Sequence, residues 1–401
     1  MKKIMILAAA AALVLSAACT KSEITSSLND GENAIGFTNY SYRSFTKADG
    51  TFVDNNTTAG LVNDKKFGVY AYSTDNGTAW STTAIGDIFM DGVAVTYTTG
   101  GDSDATKNTY APTRYWPSGD TPDWLTFWAY YPVEATSGKV TSGSNGITYT
   151  KPTGSNNLGT FDFTAASTAA AMVDFMVADV VNDKIYGTTS GAHVALNGVV
   201  PLHFHHMLTK VQFKFKTDLS DSELATTKVY LTDAKLIDIR TERTLGAAYN
   251  ASTGAPTTTW ADGTDGVAKA DTPANYEIFV NGKDVTSAAA NKVDLTRTLT
   301  SVTASEVFLM VPQVMVAQSG TNPQAIRISW DVVTDNVTIS NTKTLYLDEC
   351  TTTDGGDVQA NIDWAKNNFI TYNITVGPKP IRFTADVSTW ADEQNGYFNV
   401  N

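Results

Sequence analysis

Three histidines within one short segment have the residue type and spacing most suggestive of a metal-binding site. They are His203, His205 and His206. In an extended strand His203 and His205 point to the same side, so they could donate two ligands to a metal ion. No cysteine or further histidine sits nearby to complete a ligand set, which favours a packed or hydrogen-bonded strand edge. We therefore predict no metal site.

Other catalytic signatures are missing from the sequence. It has no G-x-S-x-G nucleophile elbow, no H-E-x-x-H, no phosphate loop and no dinucleotide fingerprint. The acidic turn at 262–266 could hold Ca²⁺ weakly, but it lacks the spacing and the closing Glu of an EF-hand loop. Cys350 is predicted to be a small apolar strand residue and not a nucleophile. The sequence predicts a protein that is not an enzyme and that needs no cofactor.

Composition and charge narrow the class of protein. The chain has 401 residues, a net charge of −13 and an isoelectric point near 4.7, which disfavours nucleic acid as a partner. Hydrophobic residues make up 42% and aromatic residues 10%, enough to build large cores and too much for a disordered acidic chain. Two cysteines exclude a disulfide-stapled scaffold.

The first residues have the pattern of an export signal. Lys2 and Lys3 precede an apolar stretch at 4–15, and small residues then lead to Cys19. A cysteine in that position resembles a bacterial lipobox, so we predict that residues 1–18 are a lipoprotein signal peptide and that Cys19 is acylated and anchored in a lipid bilayer. Residues 19–33 form a polar leader, and its Lys-plus-acid start resembles a signal for the outer cell surface. The predicted location is the surface of the outer membrane.

Alternation with a period of two dominates the rest of the chain. Apolar residues alternate with polar ones over 67–72, 211–216 and 370–376, and Gly-, Asn-, Asp- and Ser-rich turns separate such segments. This pattern predicts an all-β fold of two β-sandwiches, at 34–200 and 201–401. The alternation changes parity between Phe204 and Val211, which predicts a β-bulge near 207–210.

The first half carries a group of aromatic residues with polar tips. They are Tyr115, Trp116, Trp128 and Tyr130. Wide, stiff side chains of this kind suit a domain core, and a carbohydrate-stacking platform is the alternative.

Several segments together resemble the fimbrillin family of Bacteroidales, the subunits of a type V pilus assembled from lipoprotein precursors. They occur in family order and cover most of the chain. The segments are RYWP (114–117), LTFWAYYP (125–132), DFMVA (174–178), VPLHFHHMLTKV (200–211), VPQ (311–313), YNITV (372–376) and VSTW (387–390).

The resemblance implies two tandem transthyretin-like β-sandwiches and a removable first strand. In the family, proteolysis removes that strand and a donor strand from the next subunit takes its place. Here the removable strand corresponds to about 34–42, with Ile35 and Phe37 on its apolar side. The candidate processing positions are Arg43 and Lys47.

A donor strand should lie near the end of the chain. Phe398 and Val400 share one face of the last segment and are the candidates. The resemblance therefore implies a structural or adhesive subunit of a surface fimbria whose partners are other pilus subunits. The alternative is a non-polymerising, glycan-binding surface lipoprotein of the outer membrane.

Overall fold

The computed structural model describes residues 33–41, 64–80, 86–101, 103–141, 143–152, 157–249, 256–260, 273–281, 283–285, 290–303, 306–354, 357–360, 363–378 and 382–389. Most of the described residues lie in strands and few lie in helices, which confirms the all-β sandwich fold. The first strands are β1 (Gly36–Ser41), β2 (Lys66–Thr74), β3 (Asp87–Thr96), β4 (Trp124–Thr136), β5 (Lys139–Thr141), β6 (Ile147–Thr150), β7 (Asn157–Thr164), β8 (Met176–Ala178), β9 (Val181–Gly187), β10 (Val194–Leu196) and β11 (Val199–His206).

The remaining fifteen described strands lie after residue 208. They are β12 (Thr209–Thr217), β13 (Thr227–Ile239), β14 (Glu242–Tyr249), β15 (Pro256–Trp260), β16 (Ala274–Glu277), β17 (Phe279–Val280), β18 (Lys283–Asp284), β19 (Val293–Asp294), β20 (Phe308–Met310), β21 (Ala325–Thr334), β22 (Val337–Tyr346), β23 (Thr351–Asp354), β24 (Asp357–Ala360), β25 (Asn368–Val376) and β26 (Arg382–Thr389). The described helices are short: α1 (Asp221–Leu224) and single 3-10 turns at Ala105–Lys107, Ser144–Gly146, Ala169–Ala171 and Leu347–Glu349.

A nine-stranded sheet organises the first half. Its main order is β1-β11-β8-β4-β2-β3-β5, with β9 joined to β4 and β10 joined to β9. The second half contains the sheets β20-β12-β25-β26 and β16-β13-β21-β22, and β19 joins β13. A further sheet, β15-β14-β7-β6, and the hairpins β17-β18 and β23-β24 complete the described strands.

The central strand β4 is buried on both faces, because the nine-stranded sheet lies between two core clusters. Phe127 and Tyr131 point into the core that the first half builds for itself. Trp128 and Tyr130 point into the other core, which also contains β7, β14 and strands of the second half. Nine consecutive buried residues in β4 follow from this position.

The predicted β-bulge near 207–210 is wrong. β11 ends at His206 and β12 begins at Thr209, and the two strands belong to different sheets. The parity changes because each strand buries its own face in its own sheet, and the Met207 amide, which donates to the Phe175 carbonyl at 2.8 Å, lies in the step between them.

The predicted domain boundary at residue 200 lies inside β11. β7, from before that boundary, pairs with β14, from after it. The boundary stays a prediction, and the described strands on its two sides share one sheet.

Candidate functional site

The first described strand, β1, lies at the edge of the nine-stranded sheet. It pairs with β11 in parallel, in a register that runs from Gly36 opposite Val199 to Ser41 opposite Phe204. Within the described residues, β11 is its strand neighbour, and no second strand pairs with its other edge. An edge strand is held by one ladder of backbone hydrogen bonds, and a parallel ladder is slightly less stable per residue than an antiparallel one.

The inward side chains of β1 fill space in the core of the first half. Ile35 is 2% exposed and Phe37 is fully buried. The Phe37 ring lies 5.6 Å from the ring of Tyr110 and 6.1 Å from that of Phe127, centroid to centroid. Burying side chains of this size contributes about 1.5–3 kcal/mol each. The predicted removable strand therefore has two apolar anchors in the core.

The other edge of β1 is covered by the segment 101–116, which connects β3 to β4. The Asn108 side-chain amide donates to the Phe37 carbonyl at 2.9 Å, and the Tyr110 hydroxyl donates to the Ile35 carbonyl at 2.8 Å. The Ile35 amide donates to the Arg114 carbonyl at 2.8 Å. Burial raises the pKa of Tyr110 to about 12, so the hydroxyl remains a proton donor at neutral pH. A connecting segment thus satisfies the backbone groups that a neighbouring strand would otherwise take.

Asn39 is the exception among the inward residues of β1. It is 1% exposed, and among the residues that the structure describes neither its side-chain oxygen nor its side-chain nitrogen has a hydrogen-bond partner. A buried polar group without a partner costs about 1–3 kcal/mol. Asn39 therefore lowers the stability of a strand that Ile35 and Phe37 otherwise anchor.

Several predicted positions lie outside the described residues. These are the acylation site Cys19, the processing positions Arg43 and Lys47, the acidic turn at 262–266, and the donor-strand residues Phe398 and Val400. The description of the first strand ends at Ser41, two positions before Arg43.

The structure separates the four aromatic residues that the sequence grouped together. Trp116 packs against Phe127 in the core of the first half, and its indole nitrogen donates to the Gly198 carbonyl at 3.1 Å. Trp128 and Tyr130 lie in the other core, on the opposite face of β4. Tyr115 is 40% exposed. The group therefore forms no continuous exposed platform.

The histidine segment has a partner that sequence reasoning missed. Asp179 contacts His203 Nδ1 through Oδ2 at 3.1 Å and His205 Nε2 through Oδ1 at 2.7 Å. Burial raises the pKa of Asp179, and the hydrogen bonds from the two imidazoles lower it by more, so this carboxyl titrates below its ordinary range. His206 points to the other side of β11 and forms a separate, buried pair with Asp174 at 2.9 Å. Asp179 comes 24 positions before His203, and no local spacing signals it.

Comparison with known families identifies the chain. A family model described as fimbrillin-like matches residues 46–390, which is most of the sequence. The chain belongs to the fimbrillin-like family. Membership supports a pilus-type or adhesion-type protein of the cell surface. The resemblance that the sequence segments indicated is confirmed.

Two solved structures are similar to this fimbrillin-like chain at low sequence identity. A fimbrial protein from Bacteroides vulgatus ATCC 8482 is 18% identical, with a TM-score of 0.59, over 89% of this chain and 99% of the other. A candidate cell adhesion protein from Bacteroides uniformis ATCC 8492 is 16% identical, with a TM-score of 0.46, over 90% of this chain and 99% of the other. A search of curated proteins found no match. Among the residues that the structure describes, no helix has the length and apolar character needed to cross a membrane.

Proposed function

We propose that this fimbrillin-like chain is a structural or adhesive subunit of a surface fimbria. Its precursor is an outer-membrane lipoprotein anchored through acylated Cys19. Cleavage after Arg43 or Lys47 releases the segment that contains β1, and a strand from a neighbouring subunit then fills the vacated groove. Such β-augmentation gains affinity from main-chain hydrogen bonds and specificity from the pockets for alternate side chains.

The position of β1 carries this proposal. The strand lies at a sheet edge, so its removal leaves β11 paired with β8 and opens one row of backbone groups on β11. Removal also empties the sites of Ile35 and Phe37, which are lined by residues of the surrounding strands. A central strand could not leave without splitting the sheet, whereas an edge strand can be exchanged.

Residues Phe398 and Val400 are the proposed donor. In an extended strand these two residues would point to the same side, as Ile35 and Phe37 do in the predicted removable strand. A strand of matching alternation can place two apolar side chains in the two vacated pockets. The joint is then non-covalent, and its stability comes from the same contacts that hold β1 in the precursor.

The glycan-binding alternative receives less support from the geometry. Trp116, Trp128 and Tyr130 are buried, and stacking on a sugar ring requires an exposed aromatic face. Of the four residues considered for that role, only Tyr115 is exposed.

The test is limited trypsin digestion of the mature chain, followed by gel electrophoresis in dodecyl sulfate without boiling. We expect cleavage after Arg43 or Lys47, followed by a ladder of multimers that dissociate when the sample is boiled. The variant with Arg43→Gln and Lys47→Gln should keep β1 and remain a monomer under the same digestion.

A second variant separates processing from assembly. Phe398→Asp with Val400→Asp should be cleaved like the unchanged chain but should form no ladder, because a charged side chain does not enter an apolar pocket. A cleaved chain that loses β1 and stays monomeric at high concentration contradicts assembly by strand exchange. Binding to glycan arrays without ladders would favour the alternative.

A further inference from the structure

One carboxylate and two imidazoles converge beside β11, on the side of the strand opposite to Leu202 and Phe204. Their ligand atoms, one from each of Asp179, His203 and His205, all lie within 4.8 Å of one another. The side chains are 24%, 18% and 27% exposed, so solvent reaches them while the surrounding protein restricts their motion. We propose that these three residues bind one divalent transition-metal ion, with Zn²⁺ as the representative ion.

The distances suit a small ion. Tetrahedral zinc with bonds of about 2.0–2.1 Å holds its ligand atoms about 3.3 Å apart. Asp179 contacts His203 Nδ1 through Oδ2 at 3.1 Å and His205 Nε2 through its other oxygen, Oδ1, at 2.7 Å, and the ligand atoms, one from each residue, lie within 4.8 Å of one another. A metal ion would replace these direct contacts once the side chains turn to bring one oxygen and the two nitrogens to about 3.3 Å from one another, and neutral imidazole with carboxylate is a ligand set that zinc uses.

The backbone holds the three residues in place before any ion arrives. His203 and His205 are two positions apart on β11 and therefore face the same side. β8 pairs with β11 in a register that sets Ala178 opposite Phe204, and the next residue, Asp179, donates its amide to the His203 carbonyl at 2.8 Å. The third ligand thus comes from a neighbouring chain segment hydrogen-bonded to the strand that carries the other two.

Three protein ligands leave a fourth position of a tetrahedral ion open. A water molecule or a donor atom from another molecule completes such a site. His206 does not take part, because it faces the other side of β11 and is paired with Asp174 in the interior.

The site lies on the strand that holds β1. His203 is the register partner of Tyr40, and β1 ends one position later, opposite Phe204. An ion bound here would link the residue that follows β8 to β11, next to the C-terminal end of β1. Metal binding at this site requires only the three side chains and does not depend on strand exchange.

The experiment is calorimetric titration of the mature chain with ZnCl₂ at pH 7.5. We expect one ion per chain, and at least a tenfold weaker affinity in Asp179→Asn and in His205→Ala. His193→Ala is the matched control, because His193 is not part of the proposed site and contacts the Asp183 carbonyl. This variant should bind Zn²⁺ with the same affinity as the unchanged chain. Circular dichroism checks that each variant is folded.

A measurement without variants provides a second test. Diethyl pyrocarbonate modifies accessible histidines, and mass spectrometry locates the modified residues. Zn²⁺ should slow modification of His203 and His205 but not that of His193. The proposal is overturned if the unchanged chain takes up no Zn²⁺ in the calorimeter, if Asp179→Asn and His205→Ala bind it as well as the control, or if Zn²⁺ protects neither histidine.

Discussion

Truncation of Phe37 tests directly whether β1 is held by its side chains. Phe37 is fully buried and its ring lies among those of Phe67, Tyr110 and Phe127. Replacing such a residue by alanine removes the transfer free energy and leaves a cavity, at a cost of about 3–5 kcal/mol. Because β1 is an edge strand, we expect this cost to lower the free energy of opening β1 alone, an event that requires less free energy than unfolding of the whole chain.

Hydrogen exchange measured by mass spectrometry reports on that opening. Each 1.4 kcal/mol corresponds to about a factor of ten, so Phe37→Ala should speed exchange of the amides of β1 by about 100-fold to a few thousand-fold. The amides of β26, in a different sheet, serve as the internal reference. Ile88→Ala is the matched control, because Ile88 is a strand residue that is 54% exposed and its truncation should leave β1 unchanged.

Two results would refute this reasoning. An acceleration below tenfold in β1 would mean that Phe37 does not anchor the strand. Equal protection of β1 and β26 from exchange in the unchanged chain would mean that the strand opens only when the whole chain unfolds, which is incompatible with its release as a separate segment.

Three further predictions concern single side chains. Asn39→Leu should slow exchange of β1 by about 5- to 150-fold, because it removes about 1–3 kcal/mol of unpaired buried polarity, and unchanged or faster exchange would contradict this. Tyr110→Phe removes the hydrogen bond to the Ile35 carbonyl and should speed exchange of β1 by about 2- to 12-fold, for a loss of about 0.5–1.5 kcal/mol. Because the pKa of Tyr110 is about 12, the ratio of the exchange rates of the variant and the unchanged chain should be the same at pH 6 and pH 9. The pKa of Asp179 is lowered in the fold, so its contribution to stability is present above its unfolded pKa of about 3.9 and is lost as pH falls through the folded value. The difference in thermal midpoint between the unchanged chain and Asp179→Asn should therefore be largest above about pH 4 and shrink on acidification, and a constant difference would count against a stabilising contact between the Asp179 carboxylate and the two histidines.

Local patterns of apolar and polar residues were enough to predict many of the strands. The alternation of Val211, Phe213 and Phe215 predicts a strand with one buried face, and β12 buries all three. The same logic identified Ile35 and Phe37 as the apolar side of the first strand. A period of two is a local property, so short stretches of sequence suffice to reveal it.

Contacts between distant segments could not be predicted in this way. Asn108 and Tyr110 hold the outer edge of β1 from 71 and 75 positions away along the chain. Asp179 meets the two histidines only because β8 pairs with β11. The predicted bulge failed for a related reason, since parity within one segment does not say which sheet each strand joins.

The seam between β7 and β14 has a mechanical consequence for a protein under load. Seven residue pairs, from Thr164 opposite Glu242 to Asn157 opposite Ala248, join a strand from before residue 200 to one from after it. The two strands are antiparallel, so the chain enters β7 beside the position where it leaves β14, and tension along the backbone opens this ladder from that end, pair by pair. The two halves should therefore move apart under tension only after all seven pairs have opened, and not separate as freely as domains joined by a linker alone.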